Sequence, residues 1–361
     1  MIPAAMSQLF SPFALRDVTL RNRIGVSPMC QYSSVDGLAS DWHLVHLGGF
    51  AVGGAALVMT EAAAVTPDGR INVADLGIWN DAQLPGLERI TSFVRAQGAV
   101  PGIQLAHAGR KGSVKRPWEG AGVLEVADGG WTNLDAPSAI PYAAGSPTPH
   151  ALSTAGIATV VAAFRDAAAR ALAAGFQLVE VHAAHGYLLH EFHSPLSNAR
   201  GDAWGGPFDN RVRLTLDVVD AIRTVWPSHL PLIVRLSATD WAYGGWTVDE
   251  SVQLARQLSG HGVDLVDCSS GGNVAGVRIP IAPGYQVPFA RRVRLEAGVP
   301  TAAVGLITTA AQAESIVQGG DADLVFMARE LLRQPRWPLL AAHVLGAAVR
   351  WPPQYERAMP R

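Results

Sequence analysis

The sequence predicts one (β/α)8 TIM barrel of the α/β class. Eight short apolar runs recur along the chain, each followed by a stretch with helical spacing. None of them leads into G-x-G-x-x-G, and no P-loop is present, so the marks of a doubly wound sheet are missing. Polar and titratable residues gather just past the C-terminal ends of the runs, where such barrels build their sites.

Taken in order, the first short strand is Arg23 to Pro28, ended by Pro28. Asp41 to Val52 has helical spacing of Trp42, Val45, Leu47 and Phe50. Strand two is Ala55 to Thr60, and a helix follows from Asp81 to Gln97, with Asp81 as N-cap and Gly98 as stop. Strand three is Val100 to Leu105. The rhythm then breaks from Ala106 to Leu152, a stretch rich in Gly, Pro, Ser and Trp. An excursion of that length in a compact unit reads as a lid over a site. Alternation resumes with a helix at Ser153 to Ala174, strand four at Gln177 to Val181, a helix at Phe208 to Val225 and strand five at Leu232 to Leu236. Thr247 and Asp249 open a helix over Val248 to Leu258, before strand six at Asp264 to Cys268. A helix at Phe289 to Ala297, strand seven at Thr301 to Val304, a helix at Thr308 to Gln318 and strand eight at Leu324 to Met327 follow. Helical pattern then runs to Val349. The expected organisation is one unit over residues 1–361, with a lid at 106–152 and a tail at 350–361.

Composition excludes several classes. Hydrophobic residues make up 49% of the 361, enough for a large core, and charged residues only 16%, which argues against disorder. A net charge of −2 offers no electrostatic case for nucleic acid or an anionic membrane. Cys30 and Cys268 are too few for a disulfide framework, and the first ten residues lack a signal-peptide pattern. The longest apolar region, Gly49 to Met59, is too short to span a bilayer. A cytoplasmic protein is expected.

Three sub-sites are legible on the rim. Gly305 after strand seven and Ala328-Arg329 after strand eight stand where barrels commonly bind phosphate. Gln104 and Arg235 offer an amide and a guanidinium suited to a flat polar heterocycle, or to internal bonds between strands. His182, His185 and Tyr187 follow strand four and can aim two ring N–H groups and a phenol at one small volume.

These residues carry a resemblance. Ser27-Pro28-Met29-Cys30-Gln31-Tyr32, Trp42-His43, Glu61-Ala62, Gln104 to Lys111, His182 to Tyr187, His190-Glu191-Phe192, Ser194 to Asn198, Trp204-Gly205-Gly206, Asn210-Arg211 and Arg329 to Leu332 resemble, in order, the Old Yellow Enzyme family of FMN-dependent ene-reductases. Cys30 and Tyr32 resemble its thermophilic-like subgroup. The resemblance implies FMN held by Ser27, Pro28, Met29, Cys30, Ala62, Gln104, Arg235, Gly305, Ala328 and Arg329, with Cys30 tuning its redox behaviour and Arg235 beside its N1–C2=O2 edge. It implies ping-pong reduction of C=C bonds activated by a carbonyl or nitro group, at the expense of NADPH or NADH. His182 and His185 would hold the activating oxygen, Tyr187 would protonate carbon, and Tyr32 would flank the same oxygen. The Gln354 to Arg357 tail is similar to one that enters a neighbouring subunit's site, which makes Arg357 and Trp351 substrate-pocket candidates in a homodimer or homotetramer. Ala328 departs from the pattern, standing where Gly is common, and so do Trp204 and His193.

The main alternative is a metal-dependent barrel hydrolase using His182 and His185 as ligands. It lacks a histidine pair on strand one and a carboxylate at the exit of strand eight, because Asp323 precedes that strand. A Schiff-base aldolase needs a lysine at a strand end, and both lysines, Lys111 and Lys115, lie in the excursion. A flavin-storage role without turnover is the third alternative.

Overall fold

The computed structural model describes residues 7–120 and 122–360. Eight parallel strands close into a barrel: β1 (Ile24–Val26), β2 (Leu57–Ala64), β3 (Val100–Ala106), β4 (Leu178–Ala183), β5 (Leu232–Ser237), β6 (Leu265–Ser269), β7 (Thr301–Ala303) and β8 (Leu324–Met327). Each pairs with the next, and β8 pairs back onto β1 through Val325 and Ile24, which leaves the barrel without a free edge. Residues in all eight strands are buried, because helices cover them outside and their own side chains fill the inside.

The helices are α1 (Asp41–Val52), α2 (Leu84–Ala96), α3 (Thr154–Ala173), α4 (Leu188–His193), α5 (Phe208–Arg223), α6 (Val248–Gly260), α7 (Val287–Ala297), α8 (Ala310–Gln318), α9 (Arg329–Arg333) and α10 (Trp337–Val344). Helix α6 starts as expected: Thr247 accepts from the Glu250 N–H and the Glu250 side chain returns to the Thr247 N–H. Such a cap contributes about 1 kcal/mol. Trp226 and Trp246, among the largest fully buried side chains, place their indole N–H groups on Pro231 O and Ser251 Oγ.

Several expectations need correction. Trp42 and Val45 are exposed; the buried stripe of α1 is His43, Leu47, Phe50 and Ala51, rotated from the expected face. Asn80, not Asp81, caps the segment after β2, which opens as a 3-10 turn over Asp81–Gln83 before α2 begins at Leu84, because its extended backbone lets Oδ1 accept from the Ala82 N–H. The strand read as ending at Thr60 runs to Ala64, past an irregularity in its pairing with β3. Helical pattern after β8 divides into α9 and α10 at Gln334-Pro335, since a residue before proline is pushed out of the helical region. Helix α4 and an N-terminal hairpin, Phe13–Leu15 with Val18–Leu20, are too short to leave a periodic signal.

The excursion contains short 3-10 turns and one pair of two-residue strands, Asp135–Ala136 with His150–Ala151. It does not fold away from the barrel. Lys111 and Arg110, in its first turn, reach residues beyond β6: Lys111 Nζ lies 2.9 Å from Gly272 O and Arg110 Nη2 lies 2.8 Å from Asn273 O.

Candidate active site

Strand β4 aims its alternate residues into the barrel, so Glu180 and His182 share one face. The chain then turns sharply. His185 and Gly186 are consecutive residues in the left-handed region, with φ of 59° and 71°. A Cβ on Gly186 would fall 2.3 Å from Gly272 O, so only glycine fits there. The Gly186 N–H donates to His190 Nδ1 at 2.9 Å, and His190 Nε2 stands 3.0 Å from Asp240 Oδ1, both side chains fully buried. Burial acts to raise the Asp240 pKa, but His190, Ser194 and the Trp246 N–H outweigh it and hold the carboxyl down to about 2. Ser237 Oγ accepts from the His185 N–H at 2.9 Å. The turn is thus tied to β5, α4 and the excursion at once.

That turn brings the three predicted residues together. The His182 ring is perpendicular to that of His185, with 5.1 Å between centroids, and stands at 79° to Tyr187 at the same separation. His182 is buried and its Nδ1 has no hydrogen-bond partner, an orphan of the kind that a ligand oxygen satisfies. His185 Nε2 lies 2.7 Å from Ser269 Oγ. Burial, followed by the charges of Arg235 and others, pushes both imidazoles well below their usual pKa, so both are neutral donors at pH 7. Burial pushes the Tyr187 phenol well above 10, so it keeps its proton.

Two cavities border this cluster, one at His185 and the other at Tyr187, while His182 lines neither. The first, about 290 Å³, is lined by Ser27, Pro28, Arg235, Gly305, Ala328 and Arg329, with His185 and Ser269 at its inner end. Gly305 has φ of 119°, where a side chain would be strained and would crowd Gln286. Ala328 has φ of −116°, outside the left-handed region that would demand glycine. The second cavity, about 550 Å³, lies under the excursion and is lined by Tyr32, Tyr142, Lys111 and Tyr187. A groove outside the barrel, between α5 and α6, is of similar size but has none of the strand-end residues.

Other expected residues sit nearby without lining either cavity. Cys30 lies within hydrogen-bond reach of Tyr32 and of the Ala62 N–H; burial pushes its pKa well up, so it is a thiol and not a thiolate. Met29 neighbours it and packs on the core. Gln104 is buried and donates to Glu180 Oε2 at 2.7 Å, so its amide nitrogen serves an internal bond. Trp351 is buried and Arg357 exposed, away from both cavities of their own chain. Cys268 is core. The cluster also includes Lys111, Tyr142, Ser269 and Gln286, whose roles the strand-end pattern did not single out. Lys111 lies in the excursion motif and Ser269 ends β6, so both had a signal; Tyr142 and Gln286 had none.

A closed barrel with a cradle at the ends of β7 and β8 that reaches His185, beside His182 and Tyr187, fits a barrel oxidoreductase with a flat, phosphate-bearing cofactor. The chain belongs to the NADH:flavin oxidoreductase / NADH oxidase family, whose model matches residues 8–346. It is 50% identical over 351 residues to an NADPH dehydrogenase of Geobacillus thermodenitrificans (strain NG80-2), covering 97% of this chain and 98% of that one. It is 48% identical over 353 residues to an NADPH dehydrogenase of Geobacillus sp. (strain WCH70), covering 97% and 98%. Among solved structures, morphinone reductase superposes with a TM-score of 0.78 at 28% identity, over 98% of this chain and 93% of that one. The protein is an FMN-dependent oxidoreductase of the ene-reductase kind, as the Old Yellow Enzyme resemblance implied. The hydrolase alternative has no support: among the described residues no three His, Cys, Asp or Glu side chains gather as metal ligands.

Proposed function

We propose that the protein uses NADPH to reduce alkenes activated by a carbonyl or nitro group, with His182 and His185 on the activating oxygen and Tyr187 as proton donor to carbon. The observation that carries this reading is the buried, unpartnered Nδ1 of His182, set between the rings of His185 and Tyr187. Bound FMN would supply the hydride chemistry between nicotinamide and alkene. Gly305 and the Ala328 backbone would approach its phosphate, Arg329 would balance the charge, and Arg235 would face its ring. Ser27 and Pro28 line the same cavity, while Met29, Cys30, Ala62 and Gln104 support it from the β1, β2 and β3 ends.

The chain's own residues divide the remaining work. Neutral imidazoles donate to oxygen as negative charge gathers there, and such donors act mainly on the transition state. The Tyr187 phenol, protonated throughout the neutral range, gives its proton to the α-carbon. Tyr32, at the wall of the second cavity, limits where the oxygen settles. The names of the two Geobacillus relatives support NADPH over NADH.

The lid role of the excursion is supported by its place over the second cavity. Tyr355 packs on Arg336 at 4.4 Å and leaves Arg357 exposed, which supports a tail that reaches a second subunit of a dimer or tetramer. Trp351 belongs to the same segment. Two free thiols support a cytoplasmic location, and no helix of the described residues is long and apolar enough to cross a membrane.

The visible spectrum of the purified protein tests the reading. The protein should be yellow, bleach on NADPH without air, and regain colour on cyclohexenone. Persistent bleaching after the alkene would favour storage over turnover and overturn the proposal.

A further inference from the structure

Below the imidazoles lies a group of charges that the chemistry above leaves unused. Glu180 on β4 and Asp267 on β6 are both fully buried, and their carboxyl groups lie within hydrogen-bond reach of each other across β5. Arg235 projects between them from β5; it is opposite Asp267 in the β5/β6 pairing and opposite His182 in the β4/β5 pairing. Its Nε stands 3.1 Å from Asp267 Oδ2, an ion pair whose N–H is not aligned for a hydrogen bond. Gln104 on β3 donates to Glu180 Oε2 at 2.7 Å. The remaining oxygens, Glu180 Oε1 and both of Asp267, have no N–H or O–H donor. Two ionised carboxylates in contact, without donors and away from water, repel strongly; a single shared proton removes the repulsion and supplies the missing hydrogen bond.

We infer that Glu180 and Asp267 share one proton at neutral pH, held on Glu180, so that the pair presents a single negative charge to Arg235 and thereby sets the redox potential of the flavin that Arg235 faces. The assignment to Glu180 follows from geometry: the guanidinium faces Asp267 and favours its ionised form, while Glu180 faces a neutral amide. The groups facing the pair are Arg235 from β5, Gln104 from β3 and, one layer above on β4, His182, which burial keeps neutral. One guanidinium and one carboxylate then cancel. Burial pushes Glu180 up to about 8, so the balance fails only when pH rises past that value and a second negative charge appears. Both residues are positioning residues, since they act through Arg235.

The inference rests on Arg235 facing the flavin, and the test separates the two claims. Glu180→Gln mimics the protonated acid in shape and charge. Its flavin midpoint potential should match that of the parent at pH 7 and exceed it above about pH 8, where the parent gains a charge. Asp267→Asn removes the repulsion that keeps Glu180 protonated, so Glu180 ionises in its place, one negative charge still faces Arg235, and the potential should stay near that of the parent at pH 7 while the protonated-carboxyl band disappears. Infrared difference spectra of the parent against Glu180→Gln should show a protonated-carboxyl C=O stretch lost in the variant. If Asp267→Asn fails to fold, the two Glu180→Gln readouts decide alone. A missing carboxyl band, or an equal shift at pH 7 in both variants, overturns the shared proton. A band that is present while neither variant moves the potential at any pH overturns the coupling through Arg235. A colourless protein that still shows the band would instead overturn the flavin reading.

Discussion

Lys111 holds the carbonyl of His185: its Nζ lies 2.7 Å from His185 O and 2.9 Å from Gly272 O, and 5.0 Å from the centre of the Tyr187 ring. One ammonium therefore pins a left-handed turn, closes it against the loop after β6, and faces the proton donor.

Lys111→Met should separate turn geometry from flavin chemistry. The variant strips two carbonyls of a charged donor, each bond of that kind being worth about 1.5–3 kcal/mol. The alkene step should slow by at least about tenfold, while FMN content and bleaching by NADPH stay near those of the parent. Stopped-flow traces of the two half-reactions check this. An unchanged alkene rate would remove Lys111 from the site.

Replacing His182 and His185 together with Ala removes both oxygen donors. Loss of one preorganised donor costs about 10²–10³ in rate, so alkene reduction by the preloaded reduced enzyme should fall by at least that factor. Flavin reduction by NADPH should persist. Alkene turnover equal to that of the parent would refute the role given to the pair.

Gly305→Ala tests the cradle. At φ of 119° a new Cβ would sit 2.9 Å from Gln286 Nε2 and 3.0 Å from Tyr285 Cε1. Strain of about 1–3 kcal/mol should weaken FMN binding by roughly tenfold or more. Flavin released on ultrafiltration, followed by fluorescence, measures it. Undiminished affinity would show that the cofactor lies elsewhere.

Stability should fall between pH 7 and 8. Burial pushes Asp75, Glu180 and Glu191 each up to about 8, from 3.8 for Asp and 4.5 for Glu. Between those values the folded chain keeps protons that the unfolded chain has released, so each group removes up to about 1.4 kcal/mol per pH unit as pH rises. Five histidines that burial holds below their usual pKa, His46, His107, His182, His185 and His193, take up protons on unfolding and oppose this slope, but above pH 7 the unfolded imidazole is mostly neutral, and Lys111, pushed down to about 8 by burial, opposes it only toward pH 8. Asp75→Asn keeps an acceptor for the Ile71 N–H, which now lies 2.6 Å from Asp75 Oδ2, and should make the slope less steep. Thermal melts across that range decide; an equal slope in the variant would discard the account.

The barrel itself was readable from the chain, because eight apolar runs, each followed by a helical stretch, can bury both faces only by closing with helices outside. The His182, His185 and Tyr187 group was readable for a related reason: three residues within one turn after a strand have nowhere to diverge. What the linear order concealed depends on closure. Gln104, Glu180, Arg235 and Asp267 lie on four different strands and meet only when the barrel wraps, so the sequence left Gln104 open between a heterocycle and a bond between strands, and only closure sets its amide nitrogen on Glu180. Lys111 and Tyr142 belong to an excursion without period, and only its fold over β4 brings them to Tyr187. Strand order and the local turn were written in hydrophobic spacing and glycine placement; which charges share a proton, and which cation steadies the turn, were decided by side chains brought together across the barrel.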